Sequence, residues 1–306
     1  MEKRLFFNTL IIALLALTGC KSDQPEAKPQ ETLTSGLIHV SADESFKPII
    51  DSQVKVFEAL HPDATIVVHY KPEADCLRDL YVDSIRMVIV TRGLSDPEID
   101  DFKKSLTYSP AFGIMAYDAV AIIVNNKTPD SLFTLGDLRS IAKGISSSPY
   151  KLLLDGKTST SSVRFLTDSL LKGASIKGRV EGAETSEKVI DYVANHTDAI
   201  GMVGVSWVGN PKDADQSTFR EDIKVAALEC RDCKGGPHVK PYQANLYLGR
   251  YPMIRPLYYI VKENFDGLGS GFKNFLTLEK GQRIFKRAFL LPAKMSFRVQ
   301  NMDISN

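Results

Sequence analysis

The chain has 306 residues, 43% hydrophobic and 25% charged, enough for a sizeable core and roughly two domains. Its 38 basic and 37 acidic residues leave a formal net charge of +1. Overall charge therefore gives no reason to expect nucleic acid as a partner, and any anion site has to be local.

Lys3 and Arg4 precede an apolar run, Leu10 to Leu17, that is too short to span a membrane. The run ends in Leu17-Thr18-Gly19-Cys20, which resembles a bacterial lipobox. Residues 1–20 are then a lipoprotein signal peptide and Cys20 is the lipidated residue. The expected location is the periplasmic or outer-envelope face of a membrane, held by acyl chains. Residues 21–36 are polar and Pro-containing, without apolar periodicity, and predict a flexible tether.

From Leu37 strand and helix signals alternate. Leu37 to Val40 predicts a strand and Ala42 to Phe46 a turn. Pro48 opens an apolar-periodic helix to Leu60. Thr65 to Tyr70 predicts a strand, Glu73 to Val82 a helix and Arg86 to Val90 a short strand. Asp96-Pro97-Glu98 starts another helix. Ala116 to Asn125 is a fully apolar strand and Thr134 to Ile141 a short helix. Leu152 to Leu154 is a strand leading to the hydroxyl-rich stretch before Arg164. Glu187 to Ala194 predicts a helix and Ala199 to Val203 a strand. Pro211 to Asp222 reads as a loop, Val225 to Leu228 as a strand, and Tyr251 to Val261 as a Pro-broken strand. Helices over Gly271 to Leu278 and Lys280 to Arg287 close the chain. The alternation predicts an α/β fold with mainly parallel sheets.

Cys230-Arg231-Asp232-Cys233 is a lone CxxC beside a Gly-Gly-Pro turn. A local disulfide fits an oxidising compartment, while free thiols and a metal site stay open. Cys76 reads as a buried small side chain.

Three loops repeat one pattern, in which a strand ends, hydroxyls follow and a helix begins. They are Ser41 to Ser45, Thr91 to Ser95, and Thr158 to Ser162, the last with five hydroxyls in a row. One N-cap needs only one hydroxyl. Helix starts present free N–H groups, and loops at the ends of strands line the ligand crevice of open α/β sheets. Convergence of the three predicts an oxyanion site.

Several stretches together resemble the phosphate-binding lipoproteins of phosphate ABC importers, in the type II periplasmic-binding-protein superfamily. They are Glu44 to Ile49, Val90 to Leu94, Asp118 to Asn125, Leu135 to Leu138 with Ile141 and Gly144, Ser159 to Ser161, Ala199 to Gly201, and Tyr251-Pro252 with Arg255 to Tyr258. The resemblance covers about Leu37 to Ile304. It implies a two-lobe fold with a hinge, lobe one being 37–117 plus 243–306 and lobe two 118–242. It implies inorganic phosphate or a related oxyanion held in the cleft and delivered to an ABC transporter permease by a monomer, with no cofactor and no metal. Ser45, Thr91 and Arg92 from lobe one and Ser159, Thr160 and Ser161 from lobe two are the implied donors. Arg164 faces either the anion or solvent. Asp118 either touches the ligand or holds the lobe crossing.

The sequence also departs from that pattern. Arg86 stands where the family often has an acidic residue, six positions before the arginine of the second loop. A carboxylate facing phosphate's proton rejects sulfate, which has none to offer. Asp43, Glu44, Asp118 or Asp155 are the candidates to replace it. The glycine of the family's Ser-Gly-Thr is absent. Sulfate, molybdate, a phosphorylated compound and a sensor role therefore stay as alternatives. A hydrolase would need a base. His39, His61, His69, His196 and His238 sit in no triad motif, and there is no Gly-x-Ser-x-Gly, HExxH or P-loop lysine motif.

Overall fold

The computed structural model describes residues 31–156, 160–208 and 220–294. The signal peptide, Cys20, most of the tether, Thr158, Ser159, residues 211–219 of the expected loop and the last twelve residues, 295–306, lie outside the described residues.

The first half of the sheet is built from β1 (Gly36–Asp43), β2 (Ala64–Lys71) and β3 (Ile85–Val90), with β2 and β3 parallel to β1 on either side. Between β1 and β2 runs α1 (Lys47–Leu60). Its Ile49, Ile50, Gln53 and Phe57 share the buried face, and Pro48 sits in its first turn, where a missing N–H costs nothing. Then follow α2 (Glu73–Arg78) and α3 (Asp96–Leu106). Glu98 caps α3 by accepting from the Ser95 N–H and hydroxyl, both at 2.8 Å, and Thr107 ends it in the left-handed conformation.

The long strand β4 (Ala111–Asn125) begins five residues earlier than its apolar run. It belongs to both halves of the sheet. Beyond it come β5 (Leu132–Phe133), α4 (Leu135–Lys143), β6 (Lys151–Asp155) and α5 (Ser161–Arg164). A widened π turn over Phe165–Leu170 follows, carrying Leu166 and Leu170 into the core. Next are β7 (Val180–Ala183), α6 (Ser186–Asn195), β8 (Ala199–Gly204), β9 (Ile223–Val225), β10 (Ala227–Glu229) and β11 (His238–Val239). The chain returns through α7 (Gln243–Tyr247) and β12 (Ile254–Val261), then α8 (Leu268–Thr277), α9 (Glu279–Arg287) and β13 (Leu291–Pro292).

The strand order is β2-β1-β3-β12-β4-β8-β6-β7, with β9 and β13 also on β4. The outer pairs β1–β2, β1–β3, β6–β7 and β6–β8 are parallel, as β-α-β alternation requires. The central pairs β3–β12, β12–β4 and β4–β8 are antiparallel, because β4 and β12 carry the chain in opposite directions. β12 pairs with β4 over Ala111 to Ala119, and β8 pairs with it over Val120 to Val124. Asp118, opposite Arg255 in the register, thus lies at the changeover.

The expected strand Val225 to Leu228 is split at Ala226. β9 joins β4, whereas β10 turns into a small sheet with β5 and β11. The core runs through both halves, with Val120, Ala121, Ile122, Ile123 and Val124 fully buried. A smaller cluster under α2 and α3 contains Cys76, a free thiol whose pKa burial pushes well up. Cys230 and Cys233 form a disulfide, which decides among the three readings of the CxxC.

Candidate anion-binding site

The C-terminal ends of β1, β3 and β6 and the starts of the elements after them supply the polar cluster. At the end of β1, Asp43 Oδ1 accepts from the Ser45 N–H at 3.0 Å. Ser45 Oγ donates to Asp155 Oδ2, at the end of β6, at 2.5 Å and lies 3.3 Å from Ser161 Oγ. Arg255 on β12 reaches in from below. Its Nε donates to Asp118 Oδ2 and its Nη1 to Ser161 Oγ, each at 2.8 Å. Its guanidinium stacks 4.7 Å from the centre of the Phe46 ring. Ser186, at the first position of α6, has its hydroxyl 3.0 Å from Glu44 Oε2 and 3.2 Å from Asp155 Oδ2. Trp207 Nε1 donates to the Ser45 carbonyl at 2.8 Å.

A second set of donors lies beside the first. The Glu73 carboxylate accepts from the Thr91 N–H at 2.8 Å, from the Thr91 hydroxyl at 2.5 Å, and from Arg164 Nε and Nη2 at 2.7 and 3.2 Å. Next to this knot is a cavity of about 290 Å³, lined by Glu73, Arg92, Thr160, Val163 and Arg164 among others.

The structure thus brings Ser45, Ser161 and Asp118 into one buried cluster, and Thr91 with Arg164 into the adjoining one. Two of the expected donors are otherwise engaged. Arg92 is held in a two-pronged ion pair by Glu98, both contacts at 2.8 Å. Thr160 accepts from the Val163 N–H and caps α5. Ser159 lies outside the described residues. Glu73, Arg255 and Ser186 carry as much of the arrangement and were not singled out from the sequence. Glu73 and Ser186 each open a helix just after a strand, the same signal that marked Ser45, but without a run of hydroxyls.

Arg86 stands apart from both clusters. It sits near the start of β3, five residues before Thr91, or roughly 16 Å along an extended strand. There it pairs with Glu31 and Glu263, each at 3.1 Å. Carboxylates reach the cluster from other elements, and all four candidates, Asp43, Glu44, Asp118 and Asp155, are in it.

Burial shifts these groups. It pushes the Asp43 carboxyl up to about 7, opposed by the Arg255 charge and reinforced by Asp155 and Glu73. It raises Glu44 to about 7 as well, helped by Asp155. Burial also raises Asp118 and Asp155 against the pull of their hydrogen bonds and of Arg255. At Glu73 burial works in the same direction but is outweighed by Arg164 and Thr91, which hold the group below its ordinary value. Among the described residues Asp43 Oδ2, Asp155 Oδ1, Ser162 Oγ and Arg255 Nη2 are buried with no hydrogen-bond partner. The hydroxyls of Ser161 and Ser162 favour the ionised forms of Asp43 and Asp155 without completing those bonds. A buried polar atom without a partner is costly, and the four leave both donors and acceptors open in one cluster.

Parallel strand ends in two halves of one sheet, joined by two antiparallel crossings and lined with hydroxyls, make up the two-lobe type II periplasmic-binding-protein fold. Residues 26–280 match the family model described as a PBP superfamily domain, and the chain belongs to that superfamily. It is 22% identical over 300 residues to the phosphate-binding protein PstS of Pseudomonas aeruginosa, a match spanning 89% of this chain and 88% of that one. Among solved structures it is similar to a substrate-binding protein from Clostridium perfringens with bound phosphate, at 17% identity and a TM-score of 0.68, covering 85% of this chain and 100% of the other. An ABC-type phosphate transport receptor from Vibrio cholerae follows at 17% identity and a TM-score of 0.59, with 83% and 99% covered. At these identities the likeness carries the fold. Among the described residues no helix is long and apolar enough to cross a membrane.

Proposed function

We propose that this chain is a receptor for inorganic phosphate and not an enzyme. Lobe one comprises residues 37–117 plus 243–306 and lobe two residues 118–242. The anion is held between them, and the receptor, anchored through Cys20 outside the cytoplasm, hands it to an ABC importer. Ser161, Arg255 and Arg164 are its donors in this reading, with Ser45 joining them once its hydroxyl is released from Asp155. Closure of two lobes on one anion is the hinge-bending mode of such folds. The binding-protein descriptions of the relatives support the receptor role.

One observation carries phosphate over sulfate. Asp43 Oδ2 and Asp155 Oδ1 are buried acceptors without a completed hydrogen bond, approached only by the Ser161 and Ser162 hydroxyls. An oxyanion that brings a proton satisfies such an acceptor, whereas a fully deprotonated one is repelled by it. Titration calorimetry of the full chain in detergent is the test, with phosphate and sulfate across about pH 5 to 8.5. We expect phosphate to bind about a hundredfold tighter than sulfate, and Ser161→Ala to weaken phosphate at least about tenfold. Equal binding of the two anions, or of neither, refutes the reading.

A further inference from the structure

The four donors gathered on Glu73 are those an anionic ligand would seek. Thr91 offers its N–H and hydroxyl, and Arg164 two guanidinium N–H groups. Glu73 is 2% exposed and lies 18 residues from Thr91 and 91 from Arg164. A carboxylate at a helix start is ordinarily served by its own first turn and water. This one is turned onto distant partners instead, in the geometry of a bound oxyanion.

We propose that Glu73 is a built-in competitor for the anion, a specificity-determining residue whose carboxylate occupies the Thr91–Arg164 donors until a ligand displaces it. The proposal rests on the anion reading above and deepens it. Charge matching makes the exchange necessary. Arg164 is paired with Glu73, Arg92 with Glu98, and Arg255 faces Asp43, Asp118 and Asp155. None of these three guanidiniums offers an unmatched positive charge. A ligand gains Arg164 only by outcompeting a carboxylate held by four hydrogen bonds. Weakly basic or singly charged anions lose that competition, and a compact, highly charged oxyanion wins it. The 290 Å³ cavity beside the pair gives the approach, since Arg164 and Glu73 both line it. Arg164 keeps 39% of its side chain exposed, so an incoming anion meets the guanidinium before the carboxylate.

The alternative is a latch, in which the Glu73–Arg164 pair only joins the two segments. The two roles predict opposite signs. Full-length protein in detergent is titrated with inorganic phosphate as the wild type and as Glu73→Gln, Arg164→Gln and the double variant. The amide of Glu73→Gln keeps the shape and an acceptor for Thr91 but leaves Arg164 without a counter-charge. A competitor predicts that Glu73→Gln tightens phosphate about tenfold or more, the worth of freeing one charge-assisted hydrogen bond. Arg164→Gln then weakens it by a similar factor, and the double variant loses the gain. A latch predicts that both single variants weaken binding alike, and that result overturns the proposal. Unchanged affinity in Glu73→Gln, with the wild type binding, overturns it too while leaving the phosphate reading intact. A silent wild type with a binding Glu73→Gln upholds the competitor and refutes phosphate as the natural ligand. Silence in both overturns both readings. Should Glu73→Gln fail to fold, Glu73→Asp withdraws the carboxylate by one methylene and must shift affinity in the same direction.

Discussion

Replacing Arg255 by methionine tests the electrostatic account of the cluster. Methionine matches the length of the arginine stem and removes only the charged fork. Lost with it are the bonds to Asp118 and Ser161, each 2.8 Å, and the stack on Phe46. Arg255 is the guanidinium that lowers Asp43, Asp118 and Asp155 together, and its own side chain is 3% exposed. Removing one member of a buried ion pair typically costs about 3–5 kcal/mol, because the partner charge is left uncompensated. Against an ordinary total of about 5–15 kcal/mol that is a large share. The cost has a sign in pH. A carboxyl whose folded pKa is raised contributes stability in full below its unfolded value and loses it as pH rises through the folded one. Asp43 already stands at about 7 with Arg255 present, and burial also raises Asp118 and Asp155. Without the arginine all three rise further, so the loss is greatest above neutrality and shrinks near pH 5, where protons replace the missing cation. Urea unfolding at about pH 8 and pH 5 measures it by linear extrapolation. The probe is Trp207, the single tryptophan, which reports from the cluster through its bond to the Ser45 carbonyl. A loss under about 1 kcal/mol at pH 8, or the same loss at both pH values, refutes the argument.

Two smaller perturbations follow. A Cβ on Gly204 would stand 3.0 Å from the Ser45 carbonyl, 3.3 Å from Asp118 Oδ2 and 3.4 Å from Arg255 Nη2, so Gly204→Ala is expected to cost about 1–3 kcal/mol by overpacking and to weaken phosphate; wild-type affinity by calorimetry would show that this approach does not matter. Trp207→Phe removes the Nε1 bond to Ser45 and trims the buried indole to a phenyl, with an expected loss of at least about 1 kcal/mol in urea unfolding followed by circular dichroism, and no loss would mean that the carbonyl finds another donor and the space is refilled.

Much of this architecture can be read from periodicity. α1, α3 and α6 announce themselves through caps and apolar spacing, and β4 through its unbroken run from Ala119 to Val124. β7 gives too little signal, since Val180-Glu181-Gly182-Ala183 is four residues with two small ones. The early start of β4 at Ala111 is set by its partner β12 and not by its own residues. At the site, hydroxyl-rich loops pointed to Ser45, Thr91 and Ser161. Glu73 stayed hidden because an acidic residue at a helix start has a sufficient local explanation. Arg255 stayed hidden because a strand arginine reveals its partner only once the register places Asp118 opposite it. Arg92 shows the converse. A loop arginine in a suggestive motif is captured by Glu98, six residues on.

The double membership of β4 bears on how the molecule comes apart. Its first nine residues pair with β12 and its following ones with β8, so neither half of the sheet can melt without stripping an edge from the other. The described residues from Glu31 onward accordingly form one compact unit by their contacts. Unfolding is then expected to be a single cooperative event, with the amides of Val120 to Val124 exchanging with solvent only when the whole molecule opens, which native-state hydrogen exchange would check.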